Sequence, residues 1–218
     1  MRRLILFIDR QLRRHLGVYE FSDDPGCLLR LQVTTAPHTL RLEGAVVENG
    51  EPVLGLHLWN EHVPPIPATG PDLTWGLWFR RNFERSLYLV GREMRRDPRL
   101  TGLRAVGAST GALVPGDSSP GLRVMRHLGF YAGAYPHRRF AWFIEFWENL
   151  YSWWLMQAYN PTSLRHRRFS RMERTEVWML GSDFLKRYGD GEGAGRAEAR
   201  PETSAQGEEA DPRHVPLP

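Results

Sequence analysis

The chain has 218 residues, 41% of them hydrophobic and 11% aromatic, enough to build one domain with a real core. The formal net charge is +4, and the only cysteine is Cys27, which excludes an intramolecular disulfide framework. No stretch is apolar for the length that spans a bilayer, and the run Leu4–Ile8 is too short for a secretion signal before Asp9 and Arg10 interrupt it.

Charge is uneven along the chain. From Asp190 to the end there are seven acids and three arginines, a net of −4, which leaves +8 on residues 1–189. Lys186 is the only lysine, so the basic character is almost wholly arginine. A basic body attracts phosphate, nucleic acid or anionic lipid, although an ordinary solvated surface reads the same way. The tail from Gly189 is Gly, Ala, Glu and Pro with almost no apolar content, which predicts a disordered acidic segment after a single globular domain over 1–188.

Residues 2–16 predict an amphipathic helix, with Leu4, Ile8, Leu12 and Leu16 on one face and Arg10, Arg13 and Arg14 elsewhere. Such a helix either docks on the domain or lies on an anionic membrane surface. The expected location is cytoplasmic, with peripheral contact at the inner membrane as the extension of that second reading. Strands are expected over Cys27–Thr34, Thr39–Val47 and Val53–Trp59. Asn49-Gly50 predicts a hairpin joining the last two, because both turn positions tolerate positive φ. In the return strand Leu54, Leu56 and Leu58 share one face, and His57, Trp59 and Glu61 point the other way.

A long helix over Leu73–Arg95 follows, N-capped by Asp72 and stopped by Asp97-Pro98. Leu103–Val114 reads as a strand of small residues, Pro115–Pro120 as a polar loop, and Gly121–Leu128 as a short helix closed by Gly129. Phe130–Tyr135 is another strand. Residues 139–159 predict an aromatic helix with Phe143, Trp147, Leu150 and Trp154 on a core face and Glu145, Glu148, Asn149 and Ser152 on a polar one. Thr175–Leu180 is the last strand, and Ser182 caps a final helix to Tyr188. The pattern predicts an α+β (mixed α/β) fold, with a five- to six-stranded sheet opened by an antiparallel hairpin and covered by helices.

Three constellations could carry chemistry. His57, Asn60, Glu61 and His62 combine imidazoles and a carboxylate within six residues, which suits proton transfer. His57 and Glu61 are the candidate catalytic pair, with Asn60 and His62 as ligand-binding partners; the spacing matches no zinc signature and no metal is expected. Equally, Asn60 and Glu61 could cap the strand end in a purely structural role. The second constellation is Arg104, Gly107, Ser109, Thr110 and Gly111 ahead of a short helix, where backbone amides could hold a phosphate. The segment Leu122–Phe130 resembles the late helix and Leu-Gly-Phe ending of acyl-CoA N-acyltransferases, which implies acetyl-CoA as the cofactor of that alternative; no cofactor is otherwise implied. Ser109 departs from the Gly or Ala that ends that family's pyrophosphate loop. The third pairs the tryptophans Trp142, Trp147, Trp153 and Trp154 with Arg165, Arg167, Arg168, Arg171 and Arg174. A membrane interface or single-stranded nucleic acid suits that pairing, but its period is that of a core helix, and nucleic acid ranks last among the partners.

Ile8-Asp9-Arg10, Cys27-Leu28-Leu29-Arg30, Gly50 with Leu56-His57-Leu58-Trp59-Asn60-Glu61, Leu128-Gly129-Phe130 and Arg187-Tyr188-Gly189 follow one another in an order that resembles the YkoP-like domain. That bacterial family has no assigned activity and is also found appended to polysaccharide deacetylases. The resemblance covers about residues 1–189 and implies accessory work in cell-envelope polysaccharide or lipid metabolism. The metal-binding Asp and His motifs of a deacetylase are absent, so it does not imply that activity.

Overall fold

The computed structural model describes residues 2–111, 119–134, 141–165 and 167–190. The fold is α+β, as expected. The elements in order are α1 (Arg2–His15), β1 (Leu29–Thr35), β2 (Leu40–Leu42), β3 (Ala45–Val47), β4 (Pro52–Leu58), α2 (Leu73–Arg96), β5 (Ala105–Thr110), α3 (Pro120–His127), β6 (Tyr131–Ala134), α4 (Ala141–Tyr159), β7 (Thr175–Leu180) and α5 (Gly181–Tyr188). Five strands form one mixed sheet in the order β1-β4-β5-β7-β6, parallel only between β4 and β5. The expected continuation of β5 to Val114, most of the Pro115–Pro120 loop, Tyr135, the Trp142 side chain and the tail beyond Asp190 lie outside the described residues.

One face of the sheet is apolar. Leu29, Leu31, Leu54, Leu56, Val106, Val177 and Met179 pack against Leu87, Val90 and Met94 of α2, Leu122 and Met125 of α3, and Phe184 and Tyr188 of α5. The alternation of Leu54 and Leu56 with His57 is therefore the one read from the sequence. Asp72 accepts from Trp75 N at 2.7 Å, which confirms the cap of α2. Buried Ser86 ties that helix to the sheet by accepting from Leu28 N at 2.8 Å.

The opposite face is mixed. A row across all five strands runs Gln32, Gly55, Gly107, Trp178, Tyr131. The two glycines leave room on it, and the Trp178 ring lies over Gly107, where a methyl would collide with the ring and with the Val177 carbonyl. Gly107→Ala is expected to cost about 2 kcal/mol in chemical denaturation, since neither a sheet carbonyl nor a buried indole can yield cheaply. A negligible loss would place the indole elsewhere.

Several local expectations change. Residues 39–47 form not one strand but a small two-stranded sheet, β2 with β3, which turns at Gly44 (φ 81°). The Asn49-Gly50 turn exists, with Gly50 at φ 88°, but it delivers β4 to β1 rather than to a hairpin partner. Pairing β4 with β1 aligns Leu54 and Leu56 with Val33 and Leu31 along the apolar face, which β2 and β3 are too short to do. In α1 the buried positions are Ile5 and Asp9, while Leu4, Leu12 and Leu16 are exposed. Helix α4 departs from expectation in its first half: Phe143, Phe146 and Trp147 are exposed, whereas Leu150 and Trp154 are half-buried, as are Glu148 and Asn149 of the expected polar face, and Asn149 donates to the Met172 carbonyl at 3.1 Å. The irregular backbone before β7 needs polar partners, and Asn149 of α4 supplies one. Ser182 is not a cap, because α5 follows directly from Leu180.

Candidate functional site

Strand β4 ends at Leu58, and the chain bends through Trp59 into a single 3-10 turn, Asn60–His62. The bend separates the side chains that the sequence places together. His62 turns to one side, where it stacks on Trp59 at 3.8 Å between centroids and donates from Nδ1 to the Cys27 carbonyl at 2.8 Å. Glu61 turns to the other, onto Arg30, which is 3% exposed on β1.

The Arg30–Glu61 contact is bidentate, at 3.0 and 3.1 Å, and the same guanidinium holds Glu20 through Nε and Nη2 at 3.1 and 2.9 Å. Its Cζ lies over the Trp59 ring, 4.7 Å from the centroid. Arg13 of α1 extends the network, reaching Glu61 at 3.3 Å and Asp9 at 3.0 Å. Asp9, 3% exposed, accepts a 2.5 Å hydrogen bond from Tyr151 of α4. Arg2 donates to the Ala158 carbonyl at 3.0 Å, so α1 runs antiparallel to α4, with Asp9 and Arg30 buried at the inner end of the network and Glu20 and Glu61 at its wetter end.

The electrostatics follow from this arrangement. Burial pushes the Glu61 carboxyl up, but the hydrogen bonds from Arg30 and the charges of Arg30 and Arg13 outweigh it and hold Glu61 below the usual carboxylate range. Burial, with Asp9 beside it, raises the Tyr151 hydroxyl well above the usual phenol range. Tyr159 is pushed up to about 12, by burial first and then by Glu61 and Asp9. His57 sits beside Arg30 in the register, and its Nε2–H donates to Gln32 Oε1 at 2.8 Å. Gln32 in turn donates to the Leu16 carbonyl at 2.9 Å, which orients its amide. Burial, followed by the charge of Arg30, lowers the His57 pKa to about 4, so the imidazole is neutral at neutral pH.

Of the candidate residues, Asn60 and Glu61 line one cavity, whereas His57 and His62 occupy separate environments. Both Glu61 oxygens are bound by arginine, and His57 Nε2 is bound to Gln32 rather than to Glu61. The pair is an electrostatic anchor plus a neutral imidazole, an arrangement poorly suited to general-base chemistry at neutral pH. The second constellation lies on β5 and at its two ends, on the strand expected there. Arg104 pairs with Glu51 at 3.1 Å; Gly107 lies mid-strand; Ser109 and Thr110 pair with Glu176 and Thr175; and the Gly111 carbonyl accepts from Arg167 at 2.9 Å. Ladder pairing takes up the backbone of Ala105–Gly107 on both sides and of Ala108–Thr110 on the β7 side, and residues 112–118, which lead to the α3 N-terminus, lie outside the described residues. In the third, Arg165 donates to the Ala68 carbonyl and Arg174 to the Ser109 carbonyl, so these cations face the domain.

The cavity beside the network has a volume of about 380 Å³ and is lined by Arg2, Leu6, Arg10, Arg13, Asn60, Glu61 and Tyr159, among others. Three of its nine lining residues are arginines against one carboxylate, which suits an anionic group. Residues 9, 13, 20, 30, 151 and 159 were not singled out from the sequence as site residues. The one available signal was Asp9, an acid four residues from Ile5 and so on the same face of an arginine-rich helix. Among the described residues, no three His, Cys, Asp or Glu side chains gather to hold a metal ion, and no helix is long and apolar enough to cross a membrane. Comparison with protein-family models, curated proteins and solved structures finds no match for this chain.

Proposed function

We propose that this chain is an accessory domain that binds an anionic membrane face through α1, in the service of cell-envelope polysaccharide or lipid metabolism. The observation that carries the reading is the outward face of α1. Leu4 is 61% exposed and Phe7 57%, and Arg3, Arg10 and Arg14 flank them, also exposed. Large apolar side chains beside arginines on one helix face are the pattern of interfacial helices. Ile5 and Asp9 hold the inner face, so the outer face can meet a bilayer without α1 leaving the domain. The arginine-lined cavity opens along the same edge of the helix, where Arg10 belongs to both surfaces. Each arginine near an anionic leaflet contributes about 1 kcal/mol. The resemblance to YkoP-like domains supports the envelope part of the reading.

Vesicle flotation tests it. The chain is expected to float at low salt with phosphatidylcholine vesicles that contain phosphatidylglycerol, to stay soluble with phosphatidylcholine alone, and to detach as salt rises. Leu4→Ser with Phe7→Ser is expected to weaken binding at least about tenfold. A chain that remains soluble with anionic vesicles at low salt removes the proposal.

A further inference from the structure

A second cleft, of about 240 Å³, opens between the β2–β3 hairpin and the β7–β6 edge of the sheet. It is smaller than the ~300 Å³ at which drug-sized pockets begin, so it takes a single ring rather than a long ligand. Its floor is Glu176 and Trp178, alternate residues of β7 on one face. Directly opposite them on β6 stand Gly133 and Tyr131. No atom lies within 4 Å of where a Gly133 side chain would begin, and Tyr131 is 53% exposed at the rim.

Glu176 is only 5% exposed, and its Oε2 lies 2.8 Å from His38 Nε2. The other ring nitrogen of His38, Nδ1, lies 3.1 Å from the Thr39 carbonyl oxygen. A carbonyl only accepts, so Nδ1 carries a proton. One further proton is then shared between Nε2 and Oε2, and the pair is neutral overall on whichever atom it sits. Burial raises the Glu176 pKa, and the hydrogen bond from His38 opposes that rise. The His38–Glu176 pair thus brings no net charge to the cleft floor.

Two groups of that floor are imperfectly paired. Glu176 Oε1 is a buried acceptor and Trp178 Nε1–H a buried donor; the indole stands close enough to stabilise the carboxylate, but no hydrogen bond of good geometry closes at either atom. A buried polar group left unpaired carries its full desolvation cost. A hydroxyl group both donates and accepts, so one hydroxyl satisfies the two together. Both atoms are covered in the unliganded chain, so a hydroxyl reaches them by displacing side chains at the rim.

We propose that this cleft binds a neutral polyhydroxylated ring, the chemistry of a sugar, with one hydroxyl bridging Glu176 Oε1 and Trp178 Nε1 and the C–H face of the ring against Tyr131. Arg41 at the rim supplies donors for the outer hydroxyls, and the Thr39 hydroxyl, which donates to Glu48 Oε2 at 2.8 Å, offers an acceptor. The proposal is independent of the membrane reading, since none of these residues lies on α1.

The test follows the indole N–H resonance of Trp178 in the nitrogen-15-labelled full chain, assigned with Trp178→Phe. Glucose, galactose and N-acetylglucosamine are titrated separately, with glycerol as the ring-free control. At least one sugar is expected to move that resonance saturably while glycerol does not. Tyr131→Ala, a change at a half-exposed rim position, is expected to weaken the effect about tenfold. Glu176→Gln is expected to weaken it further, by replacing half of the acceptor with a donor. No movement with any of the three sugars in folded protein overturns the proposal, as does unchanged affinity in Tyr131→Ala. An equal response to glycerol means that any hydroxyl, water included, fills the gap, and overturns it too.

Discussion

Acidification from about pH 7 to about pH 4 is expected to remove about 3 kcal/mol of folding stability through His57 alone. The folded chain holds this imidazole neutral, by burial and by the adjacent Arg30 charge, down to about pH 4. In the unfolded chain the same group takes a proton below its ordinary value of 6.5. Between those values the unfolded state binds more protons, so stability falls as pH falls through that window and is flat above it. The difference between the two values converts at 1.36 kcal/mol per pKa unit. Glu176, whose pKa burial raises, acts in the opposite sense, because its folded form gains a proton more readily. Glu61 is lost lower still, since its folded pKa lies below the ordinary carboxylate range. The clean measurement is therefore a difference. His57→Gln is expected to flatten the pH dependence of urea unfolding between about 4 and 6.5 relative to the parent. Identical slopes in the two proteins would exclude a buried neutral His57.

The Arg30–Glu61 pair is expected to respond asymmetrically to substitution. Side-chain exposure is 4% for Arg30 against 37% for Glu61 and 51% for Glu20. Removing Glu61 strands a desolvated guanidinium with Glu20 alone. Removing Arg30 leaves two carboxylates that water already reaches. Breaking a buried pair costs most when the charge left behind is the buried one. Glu61→Ala is accordingly expected to cost about 3 kcal/mol, and Arg30→Met, which keeps the bulk under Trp59, about 1 kcal/mol. Arg30→Met combined with Glu61→Ala is expected to be well above the sum of the two single changes in stability, because no desolvated charge is then stranded. The reverse ordering of the single variants in denaturant titrations would mean that Arg30 is not the buried member.

These predictions rest on features that differ in how readable they were. Strand β7 carries the bounds expected of it, Thr175–Leu180, and the Asp72 cap sets α2 within one residue of expectation. Gly129 closes α3 at φ 91°, a backbone state that glycine enters freely. Helix α4 was not readable in the same way. Its sequence is apolar nearly all round, so periodicity could not decide which side faces the sheet. The deciding partners, Met172 and Arg174, arrive after the helix has ended. The cluster at His57–His62 reads as one site only while the chain is taken as straight; the turn at Trp59 sends His62 to Cys27 and Glu61 to Arg30.

By itself the sequence determined the α+β class, the helices, the turns at glycine and the two-faced β4, since each depends on a period of 2 or 3.6 residues or on the φ freedom of one position. Tertiary structure alone decided that β4 pairs with β1, that α1 lies on α4, and that Asp9, Arg13, Glu20, Arg30, Glu61 and Tyr151 form one network. The physical reason is distance along the chain. A period reports only which way a side chain points, whereas its partner is whichever group the packing of the whole domain brings within about 3 Å.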